Sequence, residues 1–365
     1  MSARYLYQRV YDDLLQDILS GKYPEGAYLP SELALAERYG ISRITSRRAL
    51  QELEKNGLIL RNPGKGSWVA PQTDGKKLIG LSLSNFDTLF GMDFIKGAVS
   101  EAHRLGYLVI LQIGYFLSSH EEIRLRELIS AGVSGIVHVP LYEALQVSSA
   151  MAEAVRTVPM VFGDREIVGM DVPLVCTDNV AATETLCRKL YEKGHRHIAF
   201  VSSKTDSTAV GERYKGYLRF CETNSIPSER HRVFTGVRSV LPGMERTDVV
   251  QKDIGAIVDL LRNDREITAV IAHTYKVGLL VLDAIRQLGR RVPEDYSVVC
   301  FDAAHRVYDT EFFCHMQQNE HLMGVRAIDR LAELIEGGTV PSVTYVNADY
   351  IEGQSCGETE KGRPL

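Results

Sequence analysis

The chain has 365 residues, enough for two or three domains, and its hydrophobic (45%) and charged (24%) fractions are those of ordinary globular proteins. Its formal charge of −5 is uneven: residues 1–70 carry 10 Lys/Arg and 8 Asp/Glu, the remainder 32 and 39, so a basic module is joined to an acidic body. No stretch reaches the roughly 18 apolar residues of a membrane helix, and the six cysteines show no CxxC or paired spacing, which argues against structural zinc and a disulfide framework. MSARYLYQRVYDDLL lacks the layout of a signal peptide, so a cytoplasmic protein without membrane partners is expected.

Leu6, Val10, Leu14 and Ile18 recur at helical spacing, widened by Leu15 and Leu19, and Gly21 ends that first helix. Ser31 can cap a second, short helix running to Tyr39 and burying Leu35 and Ala36. Gly40 suits a left-handed C-cap and Ser42 can cap a third helix, giving the helix-turn-helix pattern. At about 100° per residue, Ala49, Leu50 and Leu53 share the core side of the third helix. Ile44, Arg47, Arg48 and Gln51 face away, flanked by Arg43.

From Arg38 to Gly66 there are seven Lys/Arg against Glu52 and Glu54. Alone, such a face is equally that of a solvated surface helix, with Arg48 and Glu52 spaced as an i,i+4 pair. The segment after the helix favours duplex DNA. Leu58–Leu60 and Ser67–Val69 read as two strands around the turn Asn62-Pro63-Gly64-Lys65-Gly66, a wing whose glycines permit close approach to a sugar-phosphate backbone. In this motif the start of the last helix meets base edges, where Arg can bind guanine through two atoms and Thr45 can reach phosphate or base.

LPSELALAERYGISRITSRRALQELEKNGLILRNPGKGSWV resembles the winged-helix domain of the GntR regulator family, over residues 5–70. The resemblance implies that Arg43, Thr45 and Arg47 read or clamp DNA, with Gly66 at the minor groove. It matches Ser31 and Glu32 to the family's Pro-Ser-Glu start. Ser42 and Lys65 complete the candidate contacts, and Ile44 and Arg48 fall at variable positions suited to choosing the operator sequence. Leu33 stands where many members carry Arg, and Ser46 replaces an apolar residue on the core side.

PQTDGKK (71–77) reads as a linker. Apolar runs at 78–83, 107–113, 135–140, 159–163, 197–202, 269–272 and 296–301 then alternate with amphipathic segments around 92–105, 120–131, 143–155, 179–193, 207–224, 247–262 and 275–288. Continuous apolar strands separated by helices point to an α/β body of parallel, doubly wound sheets, and seven units point to two lobes with a cleft between them. Ligands bind at the C-terminal ends of such strands. Those ends carry Asn85, Asp87 and Phe90; Asp164 and Arg165; Ser202 and Ser203; His273, Thr274 and Tyr275; and Asp302. Carboxylates and Arg beside aromatic faces suit a polyhydroxylated small molecule, although turn chemistry accounts for any one loop.

LIGLSLSNFDTLFGMDFIKGAVSEAHRLGYLVIL, TDNVAATETLCRKLYEKGHRHIAFVSS, GERYKGYLRF, VPEDYSVVCFDAAH and QNEHLMGVRAIDRLAELIEG are similar to LacI/GalR-type sensor domains, which share the type I periplasmic sugar-binding fold. The resemblance covers 78–353 and leaves 354–365 as a polar tail. It implies that Arg213 binds effector hydroxyls, that Asp302 is a further contact, and that Asn85 to Phe90 form the near wall, with Gln318 completing the set. Thr274-Tyr275 replaces the family's usual Asn-Asp.

Catalysis has little support: there is no GxSxG, HExxH, P-loop, GxGxxG after a strand or PLP-type lysine motif, and His195 and His197 sit at a helix-to-strand turn. The pattern expected is a homodimeric transcriptional regulator, not an enzyme and without metal or cofactor. It would bind a palindromic double-stranded operator as a repressor of carbohydrate genes, and a small molecule such as a sugar would change its operator affinity. A nucleoside or purine effector remains an alternative, as does, in a different class, a solute-binding protein.

Overall fold

The computed structural model describes all residues except 1–2, 20, 25, 56–57, 63–65, 71–76, 84–90, 115–117, 142–147, 205–206, 229, 303–311 and 360–365. The chain divides into two compact units, Met1–Lys76 and Lys77–Leu365.

In the first unit, α1 (Ala3–Leu19), α2 (Glu32–Tyr39) and α3 (Arg43–Lys55) are followed by β1 (Ile59–Asn62) and β2 (Gly66–Val69). Val10, Leu14 and Ile18 of α1 meet Leu35, Ala49, Leu50 and Leu53 in one core closed by Ile59 and Val69. Each fully buried aliphatic side chain contributes about 1.5–3 kcal/mol. The Ser31 hydroxyl accepts from Ala34 N–H at 3.2 Å, and Gly40 takes φ 63°, where a side chain would be strained. Ser42 accepts from Thr45 N–H at 3.2 Å. The hairpin pairs Ile59 with Val69 and Asn62 with Gly66.

The second unit holds two lobes. The first contains β3 (Leu78–Leu83), α4 (Met92–Arg104), β4 (Leu108–Ile113), α5 (Ser118–Ser130), β5 (Gly135–Val139), α6 (Ser149–Thr157), β6 (Met160–Gly163) and β7 (Leu174–Thr177). The second contains α7 (Asn179–Glu192), β8 (Ile198–Ser203), α8 (Thr208–Thr223), β9 (Val233–Val237), α9 (Thr247–Asn263), β10 (Ala269–Ala272), α10 (Tyr275–Gln287), β11 (Ser297–Phe301) and β12 (Cys314–Gln317). The chain then returns to the first lobe with α11 (Glu320–Ile335) and β13 (Val343–Val346), and crosses again to β14 (Asp349–Ile351).

The sheet orders are β13-β7-β6-β5-β3-β4 and β14-β12-β11-β10-β8-β9. All neighbours are parallel except β12 and β14, so the second sheet is not purely parallel as expected. The central strands β5, β6, β8, β10 and β11 are buried throughout, which is why they read as unbroken apolar runs. β7, β9, β12, β13 and β14 escaped the sequence reading because each has only three to five residues and several mix polar with apolar side chains.

Residues 354–359 are not a free tail. Ser355 and Cys356 are buried, Val298 N–H donates to Ser355 O at 2.9 Å, and Thr359 N–H donates to Lys193 O at 3.0 Å. His195 helps seat this segment. Its Nδ1 lies 2.8 Å from Thr268 Oγ1 and its Nε2 2.9 Å from Ser297 Oγ and 3.1 Å from Gly357 O, a structural knot as its position suggested. All six cysteines are free and buried. Among the described residues no helix is long and apolar enough to cross a membrane, and no cluster of His, Cys, Asp or Glu could hold a metal.

Candidate functional site

On the first unit, Glu32 opens α2 beneath the start of α3 and gathers three arginines. Arg47 Nε lies 3.0 Å from one carboxylate oxygen and its Nη2 3.0 Å from the other; Arg43 Nε is at 3.3 Å and Arg61 Nη2, from the hairpin, at 2.7 Å. The Arg47 guanidinium above all, aided by Arg43 and Arg61, holds the Glu32 carboxyl below its ordinary range against the opposing effect of burial. Glu32 is therefore ionised, and it fixes where the guanidiniums stand instead of presenting a free carboxylate.

Ile44 is 78% exposed, and Arg43, Arg47, Arg48 and Gln51 are exposed around it, while Ala49, Leu50 and Leu53 are buried. Arg48 does not pair with Glu52: its guanidinium lies 4.2 Å from the Tyr7 ring centroid, and Glu52 meets Lys55. The Thr45 hydroxyl lies 2.8 Å from Ser42 Oγ. Ser46 is buried with its hydroxyl 2.7 Å from Glu32 O and 3.0 Å from Arg43 O, so the polar residue in an apolar place joins α2 to α3. Gly66 takes φ 102° beside the Tyr28 ring, and Leu33 is exposed. Lys65 lies outside the described residues. Arg61 was missed: its place in a strand hid that it reaches Glu32.

On the second unit, the strand ends bring most of the expected residues together. Arg213 is buried, with its guanidinium 3.8 Å from the Phe301 ring centroid, Nε donating to Asn179 Oδ1 at 2.8 Å and Nη1 to His273 O at 2.6 Å. Asp302 accepts from Gln318 Nε2 at 2.8 Å, and the Gln318 side-chain carbonyl accepts from the Thr177 hydroxyl at 2.9 Å. Burial raises the Asp302 carboxyl, opposed by Arg213 and Gln318. Asp164 holds Arg165, whose Nε is 2.8 Å from Oδ2.

Asp164 (φ 64°) and Asp302 (φ 58°) both sit in the left-handed region that favours glycine, the kind of local strain that collects at binding sites. His273 is buried near Ser203 Oγ at 3.1 Å, and burial, with the Arg213 charge, pushes its imidazole down to about 3. It is neutral at physiological pH.

Thr274 and Tyr275 have other work. Thr274 caps α10 by accepting from Val277 N–H at 3.4 Å, and Tyr275 packs edge-on against Phe313. Asn85, Asp87 and Phe90 lie outside the described residues. A cavity of about 390 Å³ opens beside the network, lined by Asp164, Thr177 and Asn179 from the strand-end side and by Ser207, Glu212 and Tyr345 among others. Thr177 and Asn179 were not singled out, although they belong to the TDN run that resembles the sensor family. The four-residue β7 gave too little periodicity to mark its end.

Glu320, also missed, is buried where the chain re-enters the first lobe, accepting from Gly91 N–H at 2.8 Å. Burial first, then the Asp302 and Asp164 charges, raises its carboxyl to about 8.

Residues 6–69 match the family of bacterial regulatory proteins called gntR, and residues 187–356 match the periplasmic binding protein-like domain. The chain carries a gntR-family domain and a periplasmic binding protein-like domain. That is the make-up of a ligand-responsive, DNA-binding transcription regulator.

The chain is 26% identical over 349 residues to an arabinose metabolism transcriptional repressor of Geobacillus stearothermophilus, covering 92% of this chain and 93% of that one. It is 27% identical over 326 residues to the HTH-type transcriptional regulator CelR of Thermobifida fusca, covering 87% and 89%. The solved CelR–cellobiose complex superposes with a TM-score of 0.64 at 21% identity, covering 90% of this chain and all of that one. CcpA of Lactococcus lactis superposes with a TM-score of 0.63 at 20% identity, covering 77% and 99%. These likenesses share the fold.

Proposed function

We propose that the protein represses carbohydrate-utilisation genes and that a sugar bound between the two lobes of the second unit changes its operator affinity. The observation that carries this reading is the buried Thr177–Gln318–Asp302 chain beside Arg213 and the cavity, at the strand ends where this fold binds ligands. Its donors and acceptors are the paired kind that hydroxyls satisfy. The arabinose-named and CelR-named relatives support the carbohydrate assignment.

In this reading residues 1–70 are the DNA-binding domain, 71–77 the linker and 78–353 the effector-binding and dimerisation domain of a cytoplasmic homodimer that spans a palindromic operator. Arg43, Thr45 and Arg47 contact DNA, Ile44 and Arg48 select its sequence, Ser31, Ser42, Lys65 and Gly66 meet the backbone, and Glu32 sets the arginines. Arg213, Asp302, Asp164, Gln318, Thr177 and Asn179 hold the effector. A coupling of about 1–3 kcal/mol shifts operator affinity some 5- to 150-fold.

The test is operator binding by fluorescence anisotropy across a panel of pentoses and hexoses. One sugar should shift the midpoint, and a panel that shifts nothing while the protein still binds operator would refute the sugar assignment.

A further inference from the structure

We propose that Tyr7 of α1 is a positioning residue for operator recognition: its ring holds the Arg48 guanidinium so that the edge of that group reads a guanine in the major groove. This rests on the reading that Arg48 selects the operator sequence. Packing fixes the ring. Tyr7 is half-buried one turn before Val10, and Val10 and Leu14 lock α1 against Ala49, Leu50 and Leu53 of α3. Arg48 leads into that buried row but is itself exposed, one turn beyond Ile44 on the outward face, and its guanidinium carbon stands over the Tyr7 ring at 4.2 Å from the centroid.

The arginines of this unit are held in two ways, and the difference decides what each has left to offer. Arg43, Arg47 and Arg61 turn the edges of their guanidiniums to the Glu32 carboxylate, Arg47 through both Nε and Nη2. Arg48 is held by its face. Among the described residues no carboxylate pairs with it, since Glu52 meets Lys55 and Glu54 meets Arg61.

A neutral ring cancels no charge, and an aromatic stack leaves the in-plane N–H donors of the fork free. Those donors match O6 and N7 of guanine, whereas adenine presents a donor at N6 that opposes one of them. An arginine on a long exposed stem otherwise loses its rotamer freedom when DNA arrives. Held over the ring, Arg48 has given up part of that freedom beforehand.

Selection of bound duplexes from a randomised library by the full-length chain tests this, because it reads base preference position by position. Wild type should favour guanine at one position of each half-site by about 5- to 150-fold. Arg48→Ala should erase that preference. Arg48→Lys, which keeps the charge without the planar fork, should erase it while retaining affinity for duplex DNA in general. Tyr7→Leu and Tyr7→Met, which keep an apolar side chain without a ring, should each cut it by about two- to fivefold, and Tyr7→Phe should restore it. In an Arg48→Ala background Tyr7→Leu should change no base preference further, which separates positioning from a general loss of folding.

A guanine preference that follows Arg48 but is untouched by Tyr7→Leu and Tyr7→Met overturns the role of Tyr7 and leaves Arg48 as a reader. A loss in Tyr7→Phe equal to that in Tyr7→Leu overturns the stacking account. Arg48→Ala weakening all duplexes alike, with no position relaxed, makes Arg48 a phosphate contact and overturns both this proposal and the reading beneath it.

Discussion

The Arg47 guanidinium lies along the Glu32 carboxylate, with Nε 3.0 Å from one oxygen and Nη2 3.0 Å from the other. A charge-assisted fork of this kind fixes direction as well as distance. It holds Arg47 on the exposed side of α3, the face that Ile44 and Arg43 share. Arg47→Ala should weaken operator binding by about 1–3 kcal/mol and flatten its salt dependence. Gel-shift titrations at two salt concentrations measure both, and unchanged binding would remove Arg47 from the DNA contacts.

Replacing Glu32 gives a prediction of the less obvious sign. Removing a negative charge beside DNA should strengthen binding if charge alone decided. If Glu32 positions Arg43, Arg47 and Arg61, then Glu32→Ala should weaken binding to the operator while affinity for unrelated duplex stays level or rises. Competition between operator and random DNA reads the ratio directly. A tighter operator complex in the variant would show that the arginines need no template.

Arg213→Ala should abolish the response to effector while operator binding without effector persists. Arg213 is only 4% exposed and ties Asn179 to the His273 carbonyl, so the variant should also melt at a lower temperature. Anisotropy with and without effector separates the two effects. Loss of operator binding below the variant's melting transition would make Arg213 a structural residue of the whole chain.

Glu320 predicts a pH dependence of stability. The unfolded side chain ionises near 4.5, and the folded one holds its proton up to about 8 because burial penalises the charge. Between those values the folded state binds a proton that the unfolded chain has released. Its stabilisation is therefore greatest at low pH, falls as pH rises through this window and levels off above it, a loss on the order of a few kcal/mol. Glu320→Gln keeps a carbonyl for Gly91 N–H and has no charge to bury. Urea midpoints at pH 5 and pH 9 should converge in the variant relative to the wild type, and an identical pH dependence in both proteins would acquit Glu320.

The linear chain determined the local structure with little ambiguity. Ser31, Gly40 and Ser42 bound α2 and α3 through caps and a left-handed turn that depend on neighbours only a few residues away. The buried central strands announced themselves as apolar runs because both faces are covered. Position in familiar motifs also brought Arg213, Asp302 and Gln318 into view together.

What tertiary structure alone decided is how side chains far apart in sequence divide the polar work. Arg61 joins Glu32 from 29 residues away and Thr177 meets Gln318 from 141. Gly91 donates to Glu320 across 229, and Ser355 bonds Val298 of β11 from 57. Hydrogen bonds and charge pairs reach only a few ångströms, so their partners exist only once the sheets and crossings are closed. The same limit explains why Thr274 and Tyr275, at a strand end like the others, turned to capping and packing.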